Sequence, residues 1–422
     1  MSAPAAPSRR RLLQSAGLAG LFGLMPRLAR AIEGGKRRFL FVFCPGGWDP
    51  AVVFAPVFGS SHVDLPEDAE PAEANGISYI AGASRPAVTA FFETWGQEAA
   101  LINGMEVRSV NHHVCKRLVL TGSPAEVGDD WPALLGGVAQ DDPEMPVVHL
   151  SGPTFSHRYG SAVVRLGERG QLVRLLTGEA LSSTRVSPPS TAVEAALRSH
   201  LEATLDERLA LAGSAEERRL LGHAEDALRR QSSLAGIADQ LGLAVASTFP
   251  ERLAVLVDLL AEGYARCGTV AFEGYLDIGW DTHATNNIQH HSFDLLFEAL
   301  GGLCADLAAR PGLESERLLD DVTIVVLSEM GRYPKFNGHG GKEHWTFTSA
   351  LLIGGGVAGG QVVGAYSDSL GGQAVDLASG ATVSSGGELL LPAHLGATLL
   401  ALADIDPGEV LPGVSPIAAL LA

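Results

Sequence analysis

The chain has 422 residues, 46% hydrophobic and 18% charged. That is enough apolar material for a large core and too little charge for global disorder. Lys and Arg total 30 against 48 Asp and Glu, a formal net charge of −18. This balance argues against a nucleic-acid partner, because phosphate binding needs a basic footprint.

The N-terminus reads as an address. Ser8-Arg9-Arg10-Arg11-Leu12-Leu13-Gln14 resembles the twin-arginine export motif, with Leu12 and Gln14 where the motif has Phe and Lys. A mildly apolar stretch from Ser15 to Met25 follows, too short to span a bilayer, and Ala29-Arg30-Ala31 fits a small-x-small cleavage site. Residues 1–31 carry five Arg and no acid, so the remainder holds 25 basic and 48 acidic residues. The expectation is a signal peptide over 1–31, recognised by the twin-arginine export machinery. The product over 32–422 would be periplasmic or extracellular, and not an integral membrane protein.

Short apolar runs then predict buried strands in chain order. They are Arg38 to Cys44, Ala99 to Asn103, Val147 to Leu150, Thr269 to Phe272, Val322 to Leu327 and Ser349 to Ile353. Helical patterns lie between them, at Asn111 to Leu120 and Ser292 to Ala309. Residues 190–266 are rich in Ala, Leu, Glu and Arg, and predict a helical insertion of helices near 192–212, 214–242 and 248–266. Residues 354–390, rich in Gly and Ser, predict loops. Alternation of this kind means an α/β fold with a doubly wound, mostly parallel sheet. Cys44, Cys115, Cys267 and Cys304 form no CxxC pair, which leaves disulfides or buried thiols open.

In such a sheet, ligands bind beyond the carboxyl ends of the strands. Asp49 follows the first strand, Asp281 and His283 follow the fourth, and Glu329 and Arg332 follow the fifth, with His339, Glu343 and His344 downstream. Carboxylates gathered at one edge repel, and a divalent cation held by Asp, Glu and His relieves the repulsion. Taken singly, each has a plainer reading. An Asp after a Gly turn caps a helix, and Glu329 with Arg332 makes an ion pair.

Four motifs narrow the reading. They are Gly279-Trp280-Asp281-Thr282-His283, Ser328-Glu329-Met330-Gly331-Arg332, Asn337-x-x-Gly340-Gly341-x-Glu343-His344 and Gly354-Gly355-Gly356-Val357-x-Gly359-Gly360. Together they resemble a twin-arginine-exported, sulfatase-like family of unknown function within the alkaline phosphatase superfamily. The likeness runs from Phe39 to about Pro412.

The resemblance implies a sheet of alkaline phosphatase type and a two-metal site. Asp49 and Glu329 would serve one metal; Asp281, His283 and His344 would serve the other. Zinc is favoured, with manganese, magnesium and calcium open. The superfamily nucleophile starts a helix that ends in Thr-Gly, here Thr121-Gly122. Counting back places it on His112, with Ser109 nearly one turn earlier. His112 would be a metal ligand, a nucleophile or a structural residue. No Cys-x-Pro-x-Arg element is present, which argues against a formylglycine sulfatase. Arg332 would hold an anion.

The implied function is hydrolysis of phosphate or sulfate esters on an anionic small molecule or glycan. The alternatives are transfer of a substituted phosphate, and a non-catalytic binding or envelope-assembly protein that keeps the fold.

Overall fold

The computed structural model describes residues 34–139, 143–167, 190–241 and 248–422, so the signal peptide expected over 1–31 lies outside the described residues. Eight strands form the central sheet: β1 Arg38–Phe43, β2 Ala99–Glu106, β3 Met145–His149, β4 Val163–Arg165, β5 Ala265–Ala271, β6 Val322–Leu327, β7 Phe347–Gly354 and β8 Gln361–Val363. Their spatial order is β8-β2-β7-β6-β1-β5-β3-β4. β7 runs antiparallel to both neighbours, and every other pair in the sheet is parallel.

β1 shows why these runs form a sheet covered on both sides. All six of its residues are buried. Leu40 and Val42 point to one face, where they meet helices α1 Pro86–Trp95, α6 Phe249–Ala261 and α7 Ile288–Ala309. Phe39, Phe41 and Phe43 point to the other, where they meet α2 His112–Thr121, α3 Trp131–Gly137 and α8 Pro392–Leu402. Alternation with period two sends successive side chains into two cores. Each fully buried Phe, Leu or Ile contributes about 1.5–3 kcal/mol.

The helices expected over 190–266 are α4 Thr191–Leu211, α5 Ala215–Leu241 and α6. They differ in packing. No residue of α4 is buried, whereas α6 buries Phe249, Leu253, Leu256, Val257, Leu259 and Leu260 against the sheet. α6 stops at Ala261, five residues short of the expected end, and β5 begins before the expected Thr269. Gly263 breaks the helix with φ of 76°. The sequence Ala265-Arg266-Cys267-Gly268 hides the strand because Ala and Gly carry little β-propensity and the charged Arg266 interrupts the apolar run. Short strands also occur in the 354–390 region expected to be loop, at Gln361–Val363, Ala374–Val375 and Glu388–Leu389.

All four cysteines are buried and unpaired. Burial raises every thiol, Cys267 and Cys304 to about 12, so they behave as small apolar groups. Among the described residues, no helix is long and apolar enough to cross a membrane.

Candidate metal centre

The carboxyl ends of β1, β2, β5 and β6 open on one edge of the sheet. β1 continues through Cys44, whose N–H donates to Leu327 O, into Pro45-Gly46-Gly47. Gly46 has φ of 121°, and a Cβ there would sit 2.6 Å from Asp281 N. Only glycine lets this turn lie against the backbone of Trp280 and Asp281. The Trp280 N–H donates to Pro45 O at 3.1 Å. The Gly46 N–H meets both Glu329 oxygens, at 2.9 and 3.0 Å. Backbone contacts thus join the loops after β1, β5 and β6.

Beneath them lies an aromatic bed. Trp48 and Trp280 both pack on Phe293 of α7, with ring centroids 6.0 and 4.9 Å away. Their indole N–H groups donate to Thr348 Oγ1 and Phe272 O. The two Gly-Trp-Asp segments are therefore anchored by the same device.

Above the bed, His112, Asp281, His283 and His344 converge. Among the described residues, His112, Asp281 and His344 each offer a ligand atom within 4.8 Å of the others. His344 Nε2 lies 3.2 Å from Asp281 Oδ1, and His283 Nε2 lies 3.1 Å from the same oxygen. The two Nε2 atoms are 2.9 Å apart. His112 Nε2 stands 3.4 Å from Asp281 Oδ2 and is buried with no hydrogen-bond partner.

The tautomers follow from the outer partners. His112 Nδ1 is 2.9 Å from Glu329 Oε1, His283 Nδ1 is 2.8 Å from Glu343 Oε2, and His344 Nδ1 is 2.8 Å from Val110 O. Each partner only accepts, so each Nδ1 carries the proton in a neutral ring. Three Nε2 lone pairs then point at one another and at a carboxylate. Acceptors packed this closely call for protons or a cation between them. Histidine held at one nitrogen by a carboxylate or carbonyl, with the other free, is a metal-ligand arrangement. The donor set fits a divalent transition metal.

The charges agree. For Asp281, burial favours the protonated form, but the Arg332 guanidinium and His344 override it and hold the acid at about 2. The Glu329 hydrogen bond raises His112, against the pull of burial. A cation would compete with that extra proton.

The other expected site residues lie elsewhere. Asp49 does not join the cluster. Its Oδ2 meets Lys342 Nζ and Asn286 Nδ2, each at 2.8 Å, while Oδ1 caps the short helix Pro50–Val53 through the Ala51 N–H. Glu329 is fully buried and reaches the cluster through His112. Arg332, expected to hold an anion, is itself buried. It donates to Gly46 O, Gly47 O, Lys342 O and Asp281 Oδ1. It is an internal clamp on Asp281. Ser109 Oγ accepts the Asn111 N–H. Asn111 in turn caps α2 by accepting the His113 and Val114 N–H groups, which occupies the helix start where the resemblance places the nucleophile.

Sequence reasoning missed Lys342, Asn337 and the Val110 carbonyl. Asn337 Nδ2 donates to Glu343 Oε1 and to His283 O, at 2.7 and 2.8 Å, and its Oδ1 folds the loop by accepting from His339 and Gly341. A Cβ on Gly341 would meet the His283 carbonyl at 2.1 Å, so this loop can press on His283 only with glycine there. The signal for Asn337 was its place in the Asn-x-x-Gly-Gly-x-Glu-His motif. For a backbone carbonyl there was none.

Several solved structures are similar to this chain at low identity. An alkaline phosphatase superfamily protein from Vibrio parahaemolyticus has 12% identity and a TM-score of 0.38, over 89% of this chain and 69% of that one. The lipoteichoic acid synthase LtaP from Listeria monocytogenes has 8% identity and a TM-score of 0.41, over 92% and 76%. The PsFucS1 sulfatase from Pseudoalteromonas sp. has 12% identity and a TM-score of 0.35, over 92% and 73%. No curated protein matches the sequence. A family model described as "Protein of unknown function (DUF1501)" matches residues 36–407, most of the chain, and the protein belongs to that family.

Proposed function

We propose that this protein is an exported, metal-dependent hydrolase of phosphate or sulfate esters, with His112, Asp281, His283 and His344 as the ligands of a divalent cation. The observation that carries the reading is the orphaned, buried His112 Nε2 aimed at Asp281 beside two further Nε2 lone pairs. A cation held there would polarise an ester oxygen and bring the pKa of a bound water to about 7.

The chain's own residues set the stage. Arg332 fixes the Asp281 carboxylate, and Glu329 keeps the His112 proton on Nδ1. The Asp281 and His283 side chains are 45% and 42% exposed, so the cluster opens to solvent on their side. An anionic small molecule or glycan ester would approach there. The arginine-rich N-terminus supports folding before export by the twin-arginine route, which suits a protein that must acquire its metal first.

Cation binding without turnover is the second reading. The observation favouring it is that the helix start bears His112, already engaged with Glu329, and that Ser109 Oγ is turned to the Asn111 N–H. One experiment separates the two. Metal-stripped protein is reloaded with zinc, manganese or calcium and assayed on aryl phosphate and aryl sulfate, with Asp281→Ala alongside. The first reading expects chelator-sensitive hydrolysis by the wild type, and cation affinity at least about 100-fold weaker in the variant. Binding with no hydrolysis leaves the second reading. Equal cation content in both proteins removes the centre.

A further inference from the structure

Two buried carboxylates, Glu329 and Asp49, lie outside the set of convergent imidazoles and Asp281. Glu329 uses both oxygens on the Gly46 N–H and one on His112. Asp49 is more completely engaged. Its Oδ1 accepts from Ala51, and its Oδ2 accepts from Asn286 and Lys342. Its own N–H donates to Gln289 Oε1 at 2.6 Å, and Gln289 Nε2 donates to Gly47 O, Trp280 O and Thr282 Oγ1. Thr282 Oγ1 closes the network by donating to Asn286 Oδ1 at 2.6 Å.

The partner charge is equally fixed. Lys342 and Asp49 are each 1% exposed and 2.8 Å apart. The Lys342 ammonium also donates to Asp64 O at 2.9 Å and lies 5.1 Å from the centre of the Phe336 ring. A buried ammonium is tolerated only when a carboxylate and further acceptors surround it. Withdrawing Asp49 to ligate a metal would strand Lys342, and a buried charge left alone is strongly destabilising.

We propose that the centre takes a single divalent cation, and that Lys342 is a built-in cation that keeps Asp49 out of metal binding. The inference rests on the reading of His112, Asp281, His283 and His344 as ligands. It departs from the two-metal site that the sequence resemblance implied. The electrostatics are one-sided. Asp281 is the one carboxylate among the four proposed ligands, and Arg332 already shares its charge. A second divalent ion would face the Arg332 charge, and among the described residues the other carboxylates around the cluster are engaged: Asp49 with Lys342, Glu329 with Gly46 and His112, and Glu343 with His283 and Asn337.

The test is stoichiometry. Full-length protein is stripped with chelator, loaded with zinc, desalted and analysed for metal per chain, with affinity from titration calorimetry. Wild type should hold one zinc, and Asp281→Ala none. The double variant Asp49→Asn with Lys342→Met removes both buried charges together, which avoids an unpaired one. It should fold and still hold one zinc, with affinity within about twofold of wild type. Two zinc ions per wild-type chain, or loss of the zinc from the double variant, overturns this inference alone. No zinc on the wild type overturns the ligand reading, and this inference with it.

Discussion

At the scale of single residues, the site depends on what stands behind each imidazole. Glu343 fixes His283 through Nδ1 and is itself held by Asn337. Its side chain is 58% exposed, so little packing is lost by changing it. Glu343→Gln keeps an acceptor and loses the charge, and should weaken zinc binding about 10-fold; Glu343→Ala should approach 100-fold. Competition against a chromogenic chelator measures this, and the melting temperature of the metal-free protein should not move. Unchanged affinity in both variants would mean that Glu343 does not orient His283. Neighbouring residues with the same motif have different roles. Gly47-Trp48-Asp49 and Gly279-Trp280-Asp281 share a Trp anchor, yet Asp49 is enclosed with Lys342 while Asp281 faces the cluster.

At the scale of elements, the start of α2 aims His112. Asn111 holds an extended conformation and caps the helix, so His112 is its first helical residue. Gly122 ends the helix in the left-handed region with φ of 70°. Asn111→Ala should cost about 1 kcal/mol, read by urea unfolding, and Asn111→Asp should restore most of it. Equal stability of wild type and the Asn111→Ala variant would show that the cap does not hold this end. α7 contributes differently, because Phe293 seats both Trp anchors at once. Packing from a distant helix thus positions two loops that carry Asp49 and Asp281.

At the scale of the whole molecule, stability should depend on pH through a group away from the cluster. His149 at the end of β3 is 8% exposed, and its Nδ1 pairs with Thr269 Oγ1 at 2.7 Å. Burial, aided by the Arg165 charge, pushes it from 6.5 down to about 4. The folded chain therefore binds fewer protons than the unfolded chain between those values. Its contribution is complete above pH 6.5 and is lost as pH falls toward 4. Between about pH 7.5 and about pH 4.5, wild type should lose about 2–3 kcal/mol more than His149→Asn. Urea unfolding of metal-free protein at both pH values checks it, and parallel losses would refute it.

The strands richest in Phe, Val, Ile and Leu, β1 and β6, declared themselves in the sequence, since a strand buried on both faces must be apolar throughout. β5 was half hidden, because its first residues include Ala265, Gly268 and the charged Arg266. The strand-end pattern led to the expectation of Asp49, Asp281, His283, Glu329 and His344 on one edge, of which Asp281, His283 and His344 lie in contact. It could not decide direction. Whether a carboxylate faces a cation or an ammonium depends on contacts between residues far apart in the chain, such as Asp49 with Lys342, and on backbone groups such as Val110 O that have no side-chain signature. Local propensity fixes where strands and turns occur. Only the packed fold sets which lone pairs meet, because hydrogen-bond geometry is decided within a few tenths of an ångström by the whole of the surrounding structure.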